Sequence, residues 1–467
     1  MTWTWMRRLL DVAGRIPRVP LLLLGCGLTR GWLDILILEA RSLPSIASWL
    51  PAGSHVVMAL SEAIGFFLLG FLALRKGSLF SANLTTWGAV GIPFIGGILL
   101  IISDSQPTST IGLVLCGLGY ASQLLLWLEV FGCRDTRSAA LAWSWSSVVS
   151  FLLWVVVDTS TVLVNDVLLL VLPLISTMLA LAARLRTLQG HVPSHETGIT
   201  GCGSSAAVPW LLLLWISMFA LSYGVSDGVT GMAFSSVPSR VGMVVPAILV
   251  IGGIAAIRGS FDFRALALMA VGGMVIGLCT VFIFRGSWSI SQLFISAANE
   301  SYLMFAHMFS CSLAYRLRRS AAGLSGLVGG FNIVAIQVGM VMGKSAAPLV
   351  EGDYLPSLLI GAFGATVCLA VTVAAVYNRD YLDSFTLSTA TDKGPHLGGY
   401  ALRLQLSPKE EVVFSLLAKG MSTSDMAREL FLAPSTIRAH TSNIYKKMGV
   451  HSRAEFETAL QKEGVLK

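Results

Sequence analysis

Several ionisable or amide side chains stand inside long apolar runs of this sequence. They are Arg30 and Asp34, Glu62, Gln123 with Glu129, Asn299 with Glu300 and His307, and Asn332 with Gln337. Charge taken from water into hydrocarbon is costly, so such residues persist where they pair or bind something. Spacings of four (Arg30, Asp34) and seven (Glu300, His307) put each couple on one helix face; Arg30 and Asp34 are then placed to neutralise each other. A different chemistry stands near the C-terminus. Over Pro434 to Met448, Ile437, Ile444 and Met448 supply a buried edge. Thr436, Arg438, Ala439, Thr441, Ser442, Asn443, Lys446 and Lys447 are left to face outward. A helix exposing Arg beside small polar side chains fits a DNA major groove, where guanidinium reads guanine edges and small groups permit close approach.

The elements that must carry these residues follow from composition. The chain has 467 residues, 55% hydrophobic and 12% charged, with mean hydropathy +0.75. That is a multi-span membrane protein with a polar attachment. Twelve apolar runs are long enough to cross a ~30 Å hydrocarbon core. They centre on 20–39, 54–74, 84–103, 109–130, 139–158, 163–183, 207–227, 240–257, 265–284, 289–313, 323–343 and 354–377. With the N-terminus inside, the loops expected in the cytoplasm hold most of the basic residues, from Arg7 and Arg8 to Arg316, Arg318, Arg319 and Arg379. Outer loops keep only Arg41, Arg240, Arg285 and Lys344. The positive-inside rule therefore predicts both termini in the cytoplasm of a cell whose inner membrane holds the protein. Residues 1–19 read as a cytoplasmic leader, 20–377 as the membrane domain, 378–404 as a linker and 405–467 as the final domain.

Nothing points to catalysis. There is no P-loop, nucleophile elbow, zinc pattern or acidic phosphorylation pocket, and no cofactor is expected. The seven cysteines form no CxxC pair and read as small hydrophobes. Trp3, Trp5, Trp49, Trp143, Trp145, Trp210 and Trp288 near span ends fit an interfacial belt. Spacing around Gly272, Gly273 and Gly277 suits close helix packing. Gly394, Pro395, Gly398 and Gly399 make the linker a flexible one, with a reach of roughly 30 Å.

The last domain reads as four short helices. Ser407 and Pro408 open the first, Val412, Val413, Leu416 and Leu417 form its stripe, and Gly420 ends it. Ser422 with Asp425 caps the second, Phe431 to Ala433 make the turn, Gly449 ends the third, and Ser452 with Glu455 caps the fourth. Leu406 to Val450, with these caps, glycines and stripes, resembles the helix-turn-helix of LuxR-type transcription regulators. The resemblance implies that Arg438, Ala439 and Ser442 face bases. Thr436, Lys446 and Lys447 would meet phosphates, beside an outward Asn443, and the fourth helix would form a dimer contact. Two positions depart from the family: Val412 replaces an acid, and Ala433 stands where Ser or Thr normally caps. Nine Lys and Arg against seven Asp and Glu over 405–467 leave little net charge, so affinity is expected from a homodimer on two half-sites of double-stranded DNA.

Six spans, the polar stretch Arg184 to Ala206 and six more spans resemble the major facilitator superfamily. That family's basic loop motif survives in part as Gly70, Arg75, Lys76 and Gly77, without its acid; Arg258, Asp262 and Arg264 stand at the matching loop. The resemblance implies that the first, fourth, seventh and tenth spans line a central cavity. Arg30, Asp34, Gln123, Glu300 and His307, with Glu62 beside them, then become candidates for touching a polar or anionic inducer. The fold expected is all-α: a 6+6 twelve-helix membrane protein ending in a four-helix LuxR-type domain. The function expected is a membrane-bound one-component transcription regulator sensing a small molecule. The alternative is a facilitator-type secondary transporter with a regulatory DNA-binding tail.

Overall fold

The computed structural model describes residues 19–42, 54–79, 83–103, 105–134, 136–189, 210–230, 237–256, 263–283, 288–317, 320–352, 364, 404, 406, 408–418, 420–429 and 434–462. The chain forms two compact units, Met1–Leu382 and Asp383–Lys467. The leader up to residue 18, most of the linker and the twelfth expected span apart from residue 364 lie outside the described residues.

In the first unit a 3-10 turn, Leu21–Leu24, leads into α1, Gly25–Ser42. There follow α2 Ser54–Lys76, α3 Asn83–Ile101, α4 Gln106–Gly132, α5 Thr136–Thr159 and α6 Val162–Gln189. The second group is α7 Trp210–Thr230, α8 Val237–Ala256, α9 Phe263–Ile283, α10 Trp288–Leu317 and α11 Ala321–Gly352. These eleven helices stand where the first eleven runs predict them. Among the described residues six helices, α2, α4, α5, α6, α8 and α11, are both long and apolar enough to cross a membrane; α3 and α9 hold shorter apolar stretches. Polar and ionisable residues dilute two more: α1 carries Arg30 and Asp34, and α10 carries Gln292, Asn299, Glu300 and His307.

Packing repeats with a shift of six helices. In the first half α1 packs on α5, and α4 on α2 and α3; in the second α7 packs on α11, and α10 on α8 and α9. The halves meet where α2 packs on α11 and α5 on α8. That is the pseudo-twofold relation implied by six spans, a polar stretch and six spans. Small residues let these helices approach closely. A Cβ added to Gly224 would lie 2.1 Å from the Ile336 carbonyl, and one on Gly339 2.2 Å from the Leu221 carbonyl, which joins α7 tightly to α11. Gly273 and Gly277 similarly seat α9 on α10, whereas Gly272 faces open space.

In the second unit α12 is Pro408–Ala418, α13 Thr423–Glu429, α14 Pro434–Met448 and α15 Arg453–Lys462. Val413, Phe414, Leu417, Met426, Ile437, Ile444, Phe456 and Leu460 close one core. Phe414 stacks edge-on against Phe456 at 5.6 Å. The α12 stripe therefore differs from expectation by one place: Phe414 is buried and Val412 is 45% exposed. Aliphatic spacing points to Val412, but the larger Phe414 side chain takes the core site.

Candidate nucleic-acid interface and intramembrane ion-pair cluster

In the second unit glycines and side-chain caps fix the described helix ends. Gly420 and Gly449 both have positive φ (82° and 68°), as the left-handed residue after a helix requires. After Gly449 the Val450 amide reaches back to the Tyr445 carbonyl at 3.0 Å. Ser422 accepts the Asp425 amide at 3.2 Å and donates to its carboxylate at 2.6 Å. Ser452 accepts the Glu455 amide at 3.2 Å, and Glu455 accepts the His451 amide at 2.9 Å. Each cap satisfies amides that would otherwise be orphaned. Residues 407 and 430–433, which hold the first cap and the expected turn, lie outside the described side chains.

The outer face of α14 is then settled by burial of its inner one. Ile437 and Ile444 are fully buried, and Met448 is partly so. Arg438, Ala439, Ser442, Asn443, Lys446 and Lys447 are exposed; Thr436 is half-buried. Thr441 turns inward enough to donate to the Ile437 carbonyl at 2.9 Å. Arg438, Ser442 and Lys446 follow one another at four-residue steps along an open groove that also takes in Thr423, Tyr445 and His451. Spacing along α14 does not point to those last three, because they come from α13, a partly apolar position and the turn after α14. Partial burial pushes the Tyr445 phenol up, with Arg453 opposing it, so it stays a neutral hydrogen-bond donor.

The two lysines differ. Lys447 forms an ion pair with Glu410 of α12 at 2.7 Å, and that carboxylate is 5% exposed. Lys446 lies in the groove. Replacing Lys446 by Ala is expected to weaken binding to all DNA sequences alike and to lower the salt slope by about 1. Lys447→Ala is expected to alter DNA binding less and to lower the thermal midpoint of the domain. Salt titrations of both variants, beside their melting curves, check this; equal slopes would refute the distinction.

In the first unit the structure gathers residues far apart in sequence. Arg30 Nη2 meets Glu300 Oε2 at 2.6 Å, and Arg30 Nη1 donates to Ser147 at 2.5 Å. Ser147 and the Trp143 indole donate to Glu300 Oε1 at 2.7 and 3.1 Å. The Arg30 guanidinium lies 4.8 Å from the Trp143 ring centre. One turn along α1, Asp34 pairs with Arg240 of α8 and accepts Ser150 at 3.3 Å. Arg30 and Asp34 thus share a helix face as expected, but each pairs across to the other half rather than with its neighbour. Local spacing shows only which charges are near on one helix; a partner two hundred residues away wins when it is better aimed.

Two further assignments change. Arg240, expected in an outer loop, lies inside α8 and is 5% exposed. Trp143, expected in the interfacial belt, is 1% exposed and belongs to the cluster. The His307 ring lies tilted against Trp143, with centres 5.1 Å apart. Gln123 sits elsewhere: its amide donates to the carbonyls of Ala89 and Pro173 and to Thr177, and its oxygen accepts Thr29, stapling helices of the first half. Glu62 is buried on α2, with no contact to the ion pairs among the described interactions. Glu129 is outside the cluster too, accepting the Leu79 amide at 2.9 Å and the Ser78 hydroxyl at the turn after α2.

Comparison with known proteins bears on the two units separately. The family model for bacterial regulatory proteins, luxR family, matches residues 404–458. Spore germination protein GerE of Bacillus subtilis is 38% identical over 61 residues, 13% of this chain and 82% of that protein. Fimbriae Z protein of Salmonella typhimurium is 40% identical over 72 residues, 15% of this chain. The chain spans only 32% of Fimbriae Z. Among solved structures, the major facilitator superfamily proton:xylose symporter XylE, bound to 6-bromo-6-deoxy-D-glucose, is 13% identical with a TM-score of 0.51. It covers 75% of this chain and 93% of its own. The first unit therefore has the facilitator fold.

Proposed function

Since the chain belongs, through its C-terminal domain, to the luxR family of bacterial regulatory proteins, we propose that it is a one-component transcription regulator held in the cytoplasmic membrane. Its facilitator-fold domain senses a small molecule, and its helix-turn-helix reads promoters as a homodimer. The N- and C-termini lie in the cytoplasm, which puts α14 on the side of the chromosome. The observation that carries the reading is the crossed pairing of Arg30 with Glu300 and of Asp34 with Arg240. Both pairs join α1 of the first half to helices of the second, so a ligand that opens them moves one half against the other. A ligand can shift such an equilibrium only by binding one arrangement better, and buried charge pairs supply that difference.

Arg438, Ala439 and Ser442 read base edges, and Thr436, Asn443 and Lys446 hold the backbone. Loss of the Arg438 contact is expected to cost ~1–3 kcal/mol at its base and to relax specificity there. Chromatin immunoprecipitation of the full-length protein beside its Arg438→Ala variant tests the reading. Discrete promoter peaks that vanish in the variant are expected; a well-expressed protein giving no peaks would overturn it. Uptake of a labelled inducer by vesicles holding the protein separates the secondary-transporter alternative, which accumulates the compound where a sensor only binds it.

A further inference from the structure

The cluster also constrains what its ligand can be. The first half contributes a cation, Arg30, and an anion, Asp34, one helical turn apart; the second half contributes the complementary anion, Glu300, and cation, Arg240. Their charges sum to zero, and all four are largely withdrawn from water: Glu300 is 1% exposed, Arg240 5% and Asp34 9%. We infer that these crossed pairs form a receptor site for a small zwitterion, whose carboxylate takes a guanidinium while its cationic nitrogen takes the carboxylate that the guanidinium leaves. This rests on the sensing reading above and names the class of inducer it requires.

Charge balance carries the argument. Breaking a buried pair leaves an uncompensated ion, a large cost unless a new partner arrives. A net anion satisfies the freed guanidinium and abandons the carboxylate; a net cation does the reverse. An uncharged sugar brings hydrogen bonds but compensates neither charge. One molecule carrying one charge of each sign replaces both lost partners at once. The surroundings are built for the exchange. The Trp143 indole and Ser147 donate to the Glu300 carboxylate and Ser150 to the Asp34 carboxylate, so each acid keeps a donor other than an arginine when a guanidinium withdraws. The Trp143 ring lies 4.8 Å from Arg30 and the Trp154 ring 5.8 Å from Arg240, each a face on which a cation can rest. Beside Trp143, His307 Nδ1 is buried with no hydrogen-bond partner among the described residues, an extra polar contact for a ligand.

The test measures ligand binding by full-length protein in lipid nanodiscs, by thermal shift and tryptophan fluorescence. The probes are glycine betaine and γ-aminobutyrate, against succinate, putrescine and glucose. Binding by a zwitterionic probe alone is expected, with affinity falling at least ~30-fold in Glu300→Gln, which removes a charged partner in a desolvated site. The double variant Arg30→Gln, Glu300→Gln leaves no lone charge and is expected to fold yet lose the probe. Binding of succinate, putrescine or glucose in place of the zwitterions, or of no probe, overturns the inference. Promoter occupancy measured with the same probes keeps the two readings apart. A zwitterion that binds without changing occupancy upholds the site and removes the sensing reading; occupancy that answers only to succinate or glucose retains sensing and removes the zwitterion.

Discussion

Replacing Glu300 by Ala lowers the stability of the membrane domain by ~3–5 kcal/mol, the cost expected when one member of a buried ion pair is deleted and the other stays in place. Three donors lose their acceptor together: Arg30, Ser147 and the Trp143 indole. Ser147 can turn to the Trp143 carbonyl and Arg30 keeps Ser147, but the guanidinium loses its counter-charge and the indole its acceptor in a desolvated site, which costs more than the hydrogen bonds themselves were worth. Asp34 cannot rescue Arg30 cheaply, since it is already paired with Arg240 and held by Ser150. Arg30→Ala is expected to cost a similar amount, and the double Arg30→Ala, Glu300→Ala much less than the sum of the two. Thermal unfolding of the four proteins in nanodiscs gives the coupling directly. Additive losses would mean that the two side chains stabilise the domain separately, and the bridge between halves would then carry no energy of its own.

The same cluster shows what a sequence can and cannot disclose. Arg30, Asp34, Glu300 and His307 stand out in the sequence because charge inside an apolar run is conspicuous on its own, and the structure brings them into one cluster. Their partners were not. Arg240 stands three residues into α8, at the edge of an apolar run, where a loop residue and a buried one look alike. Trp143 stands near the start of α5, a position that also suits a membrane-interface tryptophan. Only the packing of α5 against α1 and α8 turns that indole toward Glu300. Gln123 reads like a ligand contact by type and span, yet the groups around it use both of its amide atoms. In the C-terminal unit the outcome is nearer to expectation. The Ser422 and Ser452 caps, the left-handed glycines and the exposed face of α14 all arise from contacts within a few residues, which spacing encodes directly. The pairing of Lys447 with Glu410, thirty-seven residues apart, escaped for the same reason as Arg240.

Adding a single methyl group at Gly326 is expected to be harmful, although alanine favours a helix over glycine by up to ~1 kcal/mol. Its Cβ would stand 2.5 Å from the Gly70 Cα and 2.7 Å from the Phe66 carbonyl, both backbone atoms of α2. Backbone cannot swing aside as a side chain does, so α2 and α11 must separate, and overpacking of this kind costs ~1–3 kcal/mol. Gly70 is the glycine that opens the basic loop motif of the first half, and the close approach to Gly326 gives it a physical reason. Gly272→Ala is the matched control: its Cβ meets nothing within 4 Å, so only the helix gain remains and stability should rise slightly. Opposite signs in the two melting curves would confirm that the α2–α11 seam is a backbone contact. Because that seam joins the two halves, Gly326→Ala is also expected to leave promoter occupancy nearly independent of inducer, by holding one end of the domain apart. A normal response from a destabilised Gly326→Ala protein would show instead that the halves move elsewhere, at the α5–α8 seam that the Asp34–Arg240 pair flanks.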